Sequence, residues 1–183
     1  MSRAPRMRTS PTPWRRVRAL IMDVDGVLTD GGLYYTENGD ELKRFDVRDG
    51  QGLVLLRQAG ILTAIVTGKR TTLVARRADE LGIAEVHQAV SDKGATVTAL
   101  LARHAVPPAD ACYVGDDIND LPALRLVGIA VAVADAVPIV RRTAHYVTRT
   151  DGGHGAIREV CDLILAAART PARASKTHQR QRN

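Results

Sequence analysis

The segment that most constrains the fold is a short apolar run, Ala19-Leu-Ile-Met22, which ends in Asp23-Val-Asp25-Gly26. An apolar run of this length that stops at a polar turn is typical of a buried strand in a parallel sheet. Residues i and i+2 of a strand point to the same side, so Asp23 and Asp25 face one spot beyond its carboxyl end. Open α/β sheets bind their ligands at that edge. A lone Asp-X-Asp is a solvated turn or a helix cap about as often as it is a metal-binding catalytic pair. The residues at the other strand ends are needed to choose between these interpretations.

The rest of the chain alternates between strand and helix patterns. Beyond the first strand, strands are predicted at 61–66, 85–88, 111–115, 128–133 and 144–148. Helices are predicted at 50–59, 71–81, 92–104, 121–126, 137–141 and 156–168. This alternation predicts an α/β fold, a Rossmann-like parallel sheet with right-handed crossovers and helices on both faces.

A β-hairpin, residues 31–46, is predicted to interrupt the alternation after the first strand. Its two arms, 33–36 and 41–45, flank the turn Glu37-Asn-Gly-Asp40, and Asn-Gly between two such runs is a strong hairpin signal. Three of the five Tyr and Phe residues lie in this segment. Apolar side chains concentrated on a projecting ribbon predict packing against another subunit.

The composition predicts a single domain with a basic tail at each end. A chain of 183 residues suffices for one domain with a sizeable core, which we expect to span residues 18–169. Residues 1–17 and 170–183 are basic, contain no acidic residue and are rich in polar residues and proline, so we expect disordered tails. Nucleic-acid binding through these tails is an alternative. They lack the interleaved aromatic residues of such surfaces, so solubilising tails are the simpler interpretation.

A cytoplasmic protein without membrane contacts is also predicted. No apolar run approaches the roughly 18 residues that a membrane-spanning helix needs. The Arg- and Pro-rich N-terminus lacks the apolar core of a signal peptide. Cys112 and Cys161 are far apart and each adjoins apolar residues, which favours buried thiols over a disulfide or a metal site.

Polar residues follow three of the predicted strands, and we expect them to converge at one edge of the sheet. They are Asp23 and Asp25 after the first strand, Thr67 and Gly68 after the second, and Asp116, Asp117 and Asp120 after the fourth. An acidic cluster of hard oxygen ligands predicts a Mg²⁺ site rather than a zinc or copper site. Thr67, before a predicted helix, suits phosphate oxygens. Lys93, near the start of another helix, adds a positive charge that suits a phosphoryl group.

These residues resemble the four ordered motifs of the haloacid dehalogenase phosphatase superfamily. The matching segments are 23–29 (Asp-Val-Asp-Gly-Val-Leu-Thr), 66–68 (Val-Thr-Gly), Lys93 and 115–120 (Gly-Asp-Asp-Ile-Asn-Asp). Four segments closely resemble the capless 3-deoxy-D-manno-octulosonate 8-phosphate (KDO 8-phosphate) phosphatases, namely 23–30, 45–52, 128–135 and 150–161. The resemblance extends over residues 18–168, and no stretch of the sequence leaves room for a cap domain.

The resemblance implies a role for each acidic motif residue. Asp23 would be the nucleophile that forms an aspartyl-phosphate. Asp25 would protonate the leaving sugar oxygen and then deprotonate the hydrolytic water. Mg²⁺ would be held by Asp23, by Asp116 and by the backbone carbonyl of Asp25. Asp117 and Asp120 would be supporting groups, with Asp117 expected to cap the helix that follows.

The resemblance also implies which residues bind the substrate. Thr67 and Gly68 would hold the phosphoryl group, and Lys93 would bridge Asp23 and the phosphate. Cationic side chains that could pair with the carboxylate of a sugar acid are Arg48, Lys69, Arg70 and Arg77. For Arg48, a surface pair with Asp46 or Asp49 is an equally good interpretation. The family commonly has Arg directly after Thr-Gly, where this chain has Lys69. His154 in the Gly-rich segment is a candidate lid residue, although a solvated loop histidine is the simpler interpretation.

The function implied is that of a Mg²⁺-dependent phosphoric monoester hydrolase. It would convert KDO 8-phosphate to KDO and phosphate in lipopolysaccharide precursor biosynthesis. The family is tetrameric, with its hairpins packed centrally and neighbouring subunits completing each site. Two alternatives remain: a phosphatase for a nonulosonic (sialic-type) acid 9-phosphate, and a non-catalytic tetramerising module like those fused to sugar-acid cytidylyltransferases. The intact motif residues argue against the second.

Overall fold

The strands of this protein form one parallel sheet and a separate hairpin. The computed structural model describes residues 11–169. Within that range the strands are β1 (Ala19–Met22), β2 (Tyr34–Tyr35), β3 (Glu41–Leu42), β4 (Leu62–Val66), β5 (Glu85–His87), β6 (Ala111–Gly115), β7 (Ile129–Ala132) and β8 (Tyr146–Val147). Six of them form a sheet in the order β5-β4-β1-β6-β7-β8, and every neighbouring pair in it is parallel.

Helices cover both faces of the sheet. They are α1 (Pro11–Trp14), α2 (Val47–Gln58), α3 (Thr72–Leu81), α4 (Lys93–Arg103), α5 (Leu121–Leu126), α6 (Pro138–Thr143) and α7 (Ala156–Arg169), with 3₁₀ turns at Pro108–Asp110 and Ile118–Asp120. Contacts join α1, α2, α3 and α7 in one layer and α4, α5 and α6 in the other. The predicted Rossmann-like α/β fold is therefore confirmed.

The register of the central strands places three strand ends side by side. Met22 at the end of β1 pairs with Ile65 of β4 and with Val114 of β6. All four residues of β1 are fully buried, which is why the strand is a continuous apolar run without alternation. The residues that follow β1, β4 and β6 therefore emerge together at the carboxyl edge of the sheet.

Helix α2 begins at Val47, three residues before the predicted start, because Asp46 caps it. The Asp46 carboxylate accepts a hydrogen bond from the Arg48 backbone N–H at 2.7 Å. Gly52 inside this helix allows α7 to approach closely, since a Cβ there would lie 3.1 Å from the Cys161 sulfur.

Cys161 and Cys112 are both buried free thiols, as predicted.

The hairpin is present and carries no cap domain. Tyr34 pairs with Leu42, and Tyr35 pairs with Glu41, in an antiparallel ladder. At its base, Phe45 forms an antiparallel bridge with Thr29 and packs against the core. Most of the other large apolar side chains in the hairpin are exposed: Leu33 (56%), Tyr34 (44%), Tyr35 (65%) and Leu42 (55%).

The prediction of a disordered N-terminal tail over residues 1–17 is wrong for the last residues of that range. Trp14 is only 2% exposed and Val17 only 4% exposed, and both belong to the core. The Trp14 ring packs edge-on against the Tyr146 ring, with centroids 5.6 Å apart. Burial of a large aromatic side chain outweighs the proline- and arginine-rich composition around it. The predicted disorder of 1–10 and 170–183 concerns residues outside the described range.

Among residues 11–169, no helix has both the length and the apolar character needed to cross a membrane.

Candidate active site

The turn after β1 brings two acidic strand ends together. The Asp23 N–H donates to the Val114 carbonyl at 3.1 Å, so the chain stays attached to β6 beyond the end of the strand. Gly26 then adopts a φ of +83°, and a Cβ at this position would lie 2.2 Å from an Asp116 carboxylate oxygen. The absence of a side chain at Gly26 therefore lets Asp116 reach the turn that carries Asp23 and Asp25.

A cleft of about 250 Å³ opens at this edge of the sheet. It is lined by Asp23, Asp25, Gly26, Gly31, Thr67, Gly68, Lys69, Asp116, Asp117 and Asn119. The structure thus brings together the acidic motif residues, the Thr-Gly pair and one of the four cationic candidates. Gly31 and Asn119 were not singled out from the sequence.

Lys93 does not line the cleft itself but is buried beside it, between the carboxylates of Asp23 and Asp120. Its Nζ lies 2.6 Å from an oxygen of Asp23 and 2.6 Å from an oxygen of Asp120, and the side chain is 2% exposed. Burial alone would lower the pKa of Lys93, but the charges and hydrogen bonds of Asp23 and Asp120 outweigh it and raise that pKa. The ammonium therefore stays charged. Its contact with Asp23 is present, whereas its predicted contact with the phosphate stays a prediction.

Asp120 is fully buried and connects several residues of the site through hydrogen bonds. It accepts hydrogen bonds from the Tyr113 hydroxyl at 2.7 Å and from the backbone N–H groups of Asp116 at 3.0 Å and Asp117 at 3.2 Å. With Lys93 as a further donor, both of its oxygens are occupied. Asp120 is thus a supporting group, and Asp117 caps the following 3₁₀ turn as predicted, accepting from the Ile118 N–H.

The donor set around Asp116 fits a hard divalent cation. Carboxylate oxygens of Asp23, Asp116 and Asp120 lie within 4.8 Å of one another. Asp116 Oδ1 is buried and has no hydrogen-bond partner among residues 11–169. Burial, followed by the charges of Asp120 and Asp23, raises the pKa of Asp116 to about 8. A cation beside Asp116 would satisfy this oxygen and stabilise its ionised form.

Asp23 lies in a similar environment but is partly compensated. Burial and then the charge of Asp120 raise its pKa to about 6, against the opposing effect of Lys93. Its Oδ1 accepts a hydrogen bond from the Val24 N–H at 2.7 Å. These contacts hold the carboxylate in one orientation in the lining of the cleft, as a nucleophile requires.

The cationic candidates for the substrate carboxylate are divided between the cleft and the outer surface. Lys69 lines the cleft, with its Nζ 3.9 Å from Asp25 Oδ2, and Arg70 beside it is exposed. Arg48 pairs with Asp46 at 2.8 Å and donates to the His154 carbonyl at 2.8 Å. It therefore does not line this cleft, and its substrate role stays a prediction.

Arg77 is also outside the cleft of its own chain. Its guanidinium lies 5.8 Å from the centre of the Phe45 ring and 3.2 Å from a Glu80 oxygen. Its predicted role in substrate binding stays a prediction.

The Gly-rich segment 152–155 packs directly on the turn that carries the acidic pair. A Cβ at Gly152 would lie 1.8 Å from the Gly26 carbonyl oxygen. The Gly153 N–H donates to the Val27 carbonyl at 2.9 Å. His154 donates through Nδ1 to the Gly152 carbonyl at 2.7 Å, so its ring is engaged within its own loop.

Lys43 contacts the site and was not predicted from the sequence. This hairpin residue has a side chain that is only 2% exposed, and its Nζ donates to Asp25 Oδ1 at 2.5 Å. It lies in a polar run, Glu41-Leu-Lys-Arg44, that by pattern suits a solvated ribbon. Its burial depends on how the hairpin docks, which local sequence does not encode.

Comparisons with known proteins point to the same superfamily as the motif residues of the site. The family model described as haloacid dehalogenase-like hydrolase matches residues 80–160. The chain is 50% identical over 151 residues to 3-deoxy-D-manno-octulosonate 8-phosphate phosphatase KdsC of Yersinia pestis, covering 82% of this chain and 81% of that protein. It is 49% identical to the protein of the same name from Escherichia coli (strain K12), covering 82% and 80%.

Solved structures with the same fold include two phosphatases of that name. The Yersinia pestis structure superposes with a TM-score of 0.85 at 47% identity, covering 88% of this chain and 87% of that one. The Moraxella catarrhalis structure, a complex with magnesium ion, phosphate ion and KDO, superposes with a TM-score of 0.84 at 40% identity, covering 86% and 90%. The chain therefore belongs to the haloacid dehalogenase-like hydrolases and, within them, to the family of the 3-deoxy-D-manno-octulosonate 8-phosphate phosphatases.

Proposed function

We propose that this protein is a Mg²⁺-dependent phosphomonoesterase that hydrolyses KDO 8-phosphate to KDO and phosphate, a step of lipopolysaccharide precursor biosynthesis. The observation that carries the proposal is the buried Lys93–Asp23 contact beside the unpartnered Asp116 oxygen. It combines an oriented nucleophile, a fixed positive charge and a cation site in one cleft. A relative with the same fold is described as a complex with magnesium, phosphate and KDO.

The first chemical step is phosphoryl transfer to the protein. A carboxylate oxygen of Asp23 attacks phosphorus as the bond from phosphorus to the sugar oxygen breaks. The leaving oxygen keeps the electron pair and takes a proton from the Asp25 carboxyl group. Asp23, Asp116 and the Asp25 backbone carbonyl would hold Mg²⁺, which would supply positive charge for the phosphoryl oxygens. Lys93 would contribute a fixed positive charge beside Asp23, and Thr67 would contribute a hydroxyl from the cleft lining.

The second step releases phosphate and restores the protein. Asp25, now a carboxylate, takes a proton from a water molecule, and the water oxygen attacks phosphorus. The acyl phosphate bond breaks, and the electron pair returns to the Asp23 carboxylate. The proton that Asp25 loses in the first step is thereby replaced in the second, so the residue alternates between acid and base.

A phosphatase screen tests this function. Purified protein is assayed for phosphate release from KDO 8-phosphate, from a nonulosonic acid 9-phosphate and from simple sugar phosphates, with Mg²⁺ or with a chelator. We expect Mg²⁺-dependent turnover with the highest kcat/KM for KDO 8-phosphate. Faster turnover of the nonulosonic acid 9-phosphate would favour the alternative substrate. No turnover of any phosphate would contradict the enzyme assignment and favour an assembly module.

We also propose that the protein is a homotetramer whose subunits complete one another's sites. The exposed apolar side chains of the hairpin support this, because an isolated subunit would leave them in water. Arg48 lies outside the cleft of its own subunit and its side chain is 65% exposed, so it is accessible to a neighbouring subunit. In this proposal the protein acts on a small sugar-acid phosphate and has no nucleic-acid or membrane partner. Its proposed location is the cytoplasm.

A further inference from the structure

Lys43 is the one hairpin side chain that reaches the candidate acid–base residue among residues 11–169. Its Nζ donates to Asp25 Oδ1 and lies 3.3 Å from a Glu41 oxygen. The aliphatic stem is covered, since the side chain as a whole is 2% exposed. An ammonium group is rarely withdrawn from water unless carboxylates compensate it, and here the main compensating group is Asp25.

The chain on either side of Lys43 is attached to the same part of the site. The Arg44 guanidinium donates to the Gly153 carbonyl at 2.7 Å, and Phe45 bridges to Thr29 on the turn that follows Asp25. The returning arm of the hairpin, residues 41–45, is therefore fixed relative to the turn. A side chain anchored in this way holds its partner in one orientation.

The contact also distinguishes the two oxygens of Asp25. Oδ1 is occupied by Lys43, whereas Oδ2 has Lys69 Nζ 3.9 Å away, beyond hydrogen-bond distance. Asp25 lines the cleft, so Oδ2 is the oxygen left to exchange a proton with the substrate or with water. Without Lys43, rotation about the side-chain bonds of Asp25 would be less restricted.

We propose that Lys43 is a positioning residue that holds the Asp25 carboxyl group in the orientation for proton transfer. The inference rests on the proposed function, because it takes Asp25 as the acid and base. It makes the hairpin part of the catalytic apparatus as well as a surface for assembly. Both chemical steps depend on it: proton donation to the leaving oxygen, and proton removal from water.

The two steps can be separated by the choice of leaving group. The p-nitrophenolate ion leaves without protonation, so transfer of phosphate from p-nitrophenyl phosphate to Asp23 does not need the acid. Release of phosphate from Asp23 still needs the base. A protein with a misplaced Asp25 should therefore release one equivalent of p-nitrophenolate quickly and then turn over slowly.

The experiment compares full-length Lys43→Met and Lys43→Arg with the unmodified protein, in Mg²⁺. For Lys43→Met we expect a burst of p-nitrophenolate near one per site, then a steady rate reduced roughly 10- to 100-fold, the range for a weakened proton transfer. With KDO 8-phosphate, kcat should fall by a similar factor with little change in KM. Lys43→Arg keeps a cation at this position and should recover most of the rate. Glu37→Gln, in the exposed hairpin turn, is the matched control and should behave like the unmodified protein.

The burst amplitude counts functional sites, so a variant that folds only in part still yields a rate per site. A reduced steady rate without a burst of p-nitrophenolate in Lys43→Met would overturn the inference and leave Lys43 a structural residue. Full steady-state activity of Lys43→Met would overturn it as well. If the unmodified protein hydrolyses p-nitrophenyl phosphate but not KDO 8-phosphate, the proposed substrate fails, while the burst comparison still decides the role of Lys43.

Discussion

Asp23 illustrates how one residue can serve the reaction at a cost to the fold. Its carboxylate is buried near Asp116 and Asp120, and burial and repulsion raise its pKa to about 6. Lys93 offsets part of this penalty. Removing the charge of Asp23 should therefore harm the chemistry without weakening the fold, since active sites commonly hold groups that do not favour stability.

Replacement of Asp23 by Asn tests this expectation. Asp23→Asn lacks the nucleophilic oxygen, so phosphate release should fall by about 10³-fold or more. The midpoint of urea unfolding in chelator should be unchanged or higher. Asp162→Asn is a suitable control, because Asp162 is an exposed acid that pairs with Arg158 on the surface of α7. Residual turnover above a few per cent of the unmodified rate would contradict the assignment of Asp23 as nucleophile.

Asp116 predicts how stability depends on pH. In the metal-free fold its pKa is raised from 3.8 to about 8 by burial and by neighbouring carboxylates. Between these two values the folded state binds more protons than the unfolded state, so the free energy of unfolding should fall as the pH rises. In chelator we expect a loss of a few kcal/mol between about pH 5 and about pH 8.

Urea unfolding at several pH values measures this loss. Mg²⁺ should reduce it, because a bound cation stabilises the ionised carboxylate. Asp116→Asn should remove most of the pH dependence in chelator. A metal-free protein that becomes more stable between about pH 5 and about pH 8 would show that these carboxylates are not strained in the fold.

Among individual residues, the sequence identified the site residues that lie in recognisable motifs at strand ends. Asp23, Asp25, Thr67 and Asp116 follow buried strands, so the topology of a parallel sheet already brings them to one edge. Lys43 follows no such rule, because its contact with Asp25 depends on how a separate ribbon docks. For Arg48 the sequence left two partners open, the substrate or a neighbouring aspartate, and in the structure it pairs with Asp46, the N-cap of α2.

Among the elements, the Gly-rich segment and the turn after β1 depend on each other. A Cβ at Gly152 would lie 1.8 Å from the Gly26 carbonyl oxygen, a distance that requires the backbone to move. Gly152→Ala should therefore shift the turn that carries Asp23 and Asp25. We expect a loss of roughly 1–3 kcal/mol in the free energy of unfolding, and a fall in kcat larger than that loss explains.

Gly60→Ala is the comparison for Gly152→Ala. Gly60 has a φ of +78°, but a Cβ at this position would have no atom within 4 Å, so alanine there adds backbone strain without a collision. It should cost about 1 kcal/mol and leave kcat unchanged. Equal effects of the two substitutions on kcat would show that the contact with Gly26 does not matter for the chemistry.

Element boundaries were predicted best where burial is complete. The bounds of β1 and β6 are as expected, because central strands are uninterrupted apolar runs. Helix α2 began earlier than expected, because its start is set by a side-chain cap at Asp46 and two glycines obscure its first turns. Caps are single hydrogen bonds, so a periodic pattern of apolar residues does not reveal them.

For the whole molecule, the exposed hairpin predicts an assembly that can be broken. Replacing Leu33, Tyr35 and Leu42 together by Ser removes most of the apolar surface from the ribbon. We expect the mass in solution, measured by light scattering or sedimentation, to fall from that of a tetramer to that of smaller species. Ile139→Ser, at an exposed apolar position on α6, should leave the mass unchanged. A triple variant with unaltered mass would contradict assembly through the hairpin.

The overall architecture could be predicted from the sequence, but the N-terminal boundary of the domain could not. Strand–helix alternation specifies a parallel sheet with helices on both faces almost by itself. The first folded residues lie in a stretch whose composition resembles a tail, and one tryptophan there outweighs that composition. The burial of Trp14 against Tyr146 is a tertiary contact over more than a hundred residues, which no local pattern reports.

That same contact supplies a spectroscopic probe. Trp14 is the only tryptophan in the chain, and it is packed against an edge strand while the cleft lies at the centre of the sheet. Intrinsic fluorescence excited at the indole band will therefore report the docking of the N-terminal segment on the rest of the domain. Titration with Mg²⁺ should leave this emission nearly constant, and denaturant should change it. Folding and metal binding can thus be followed separately in one unlabelled sample.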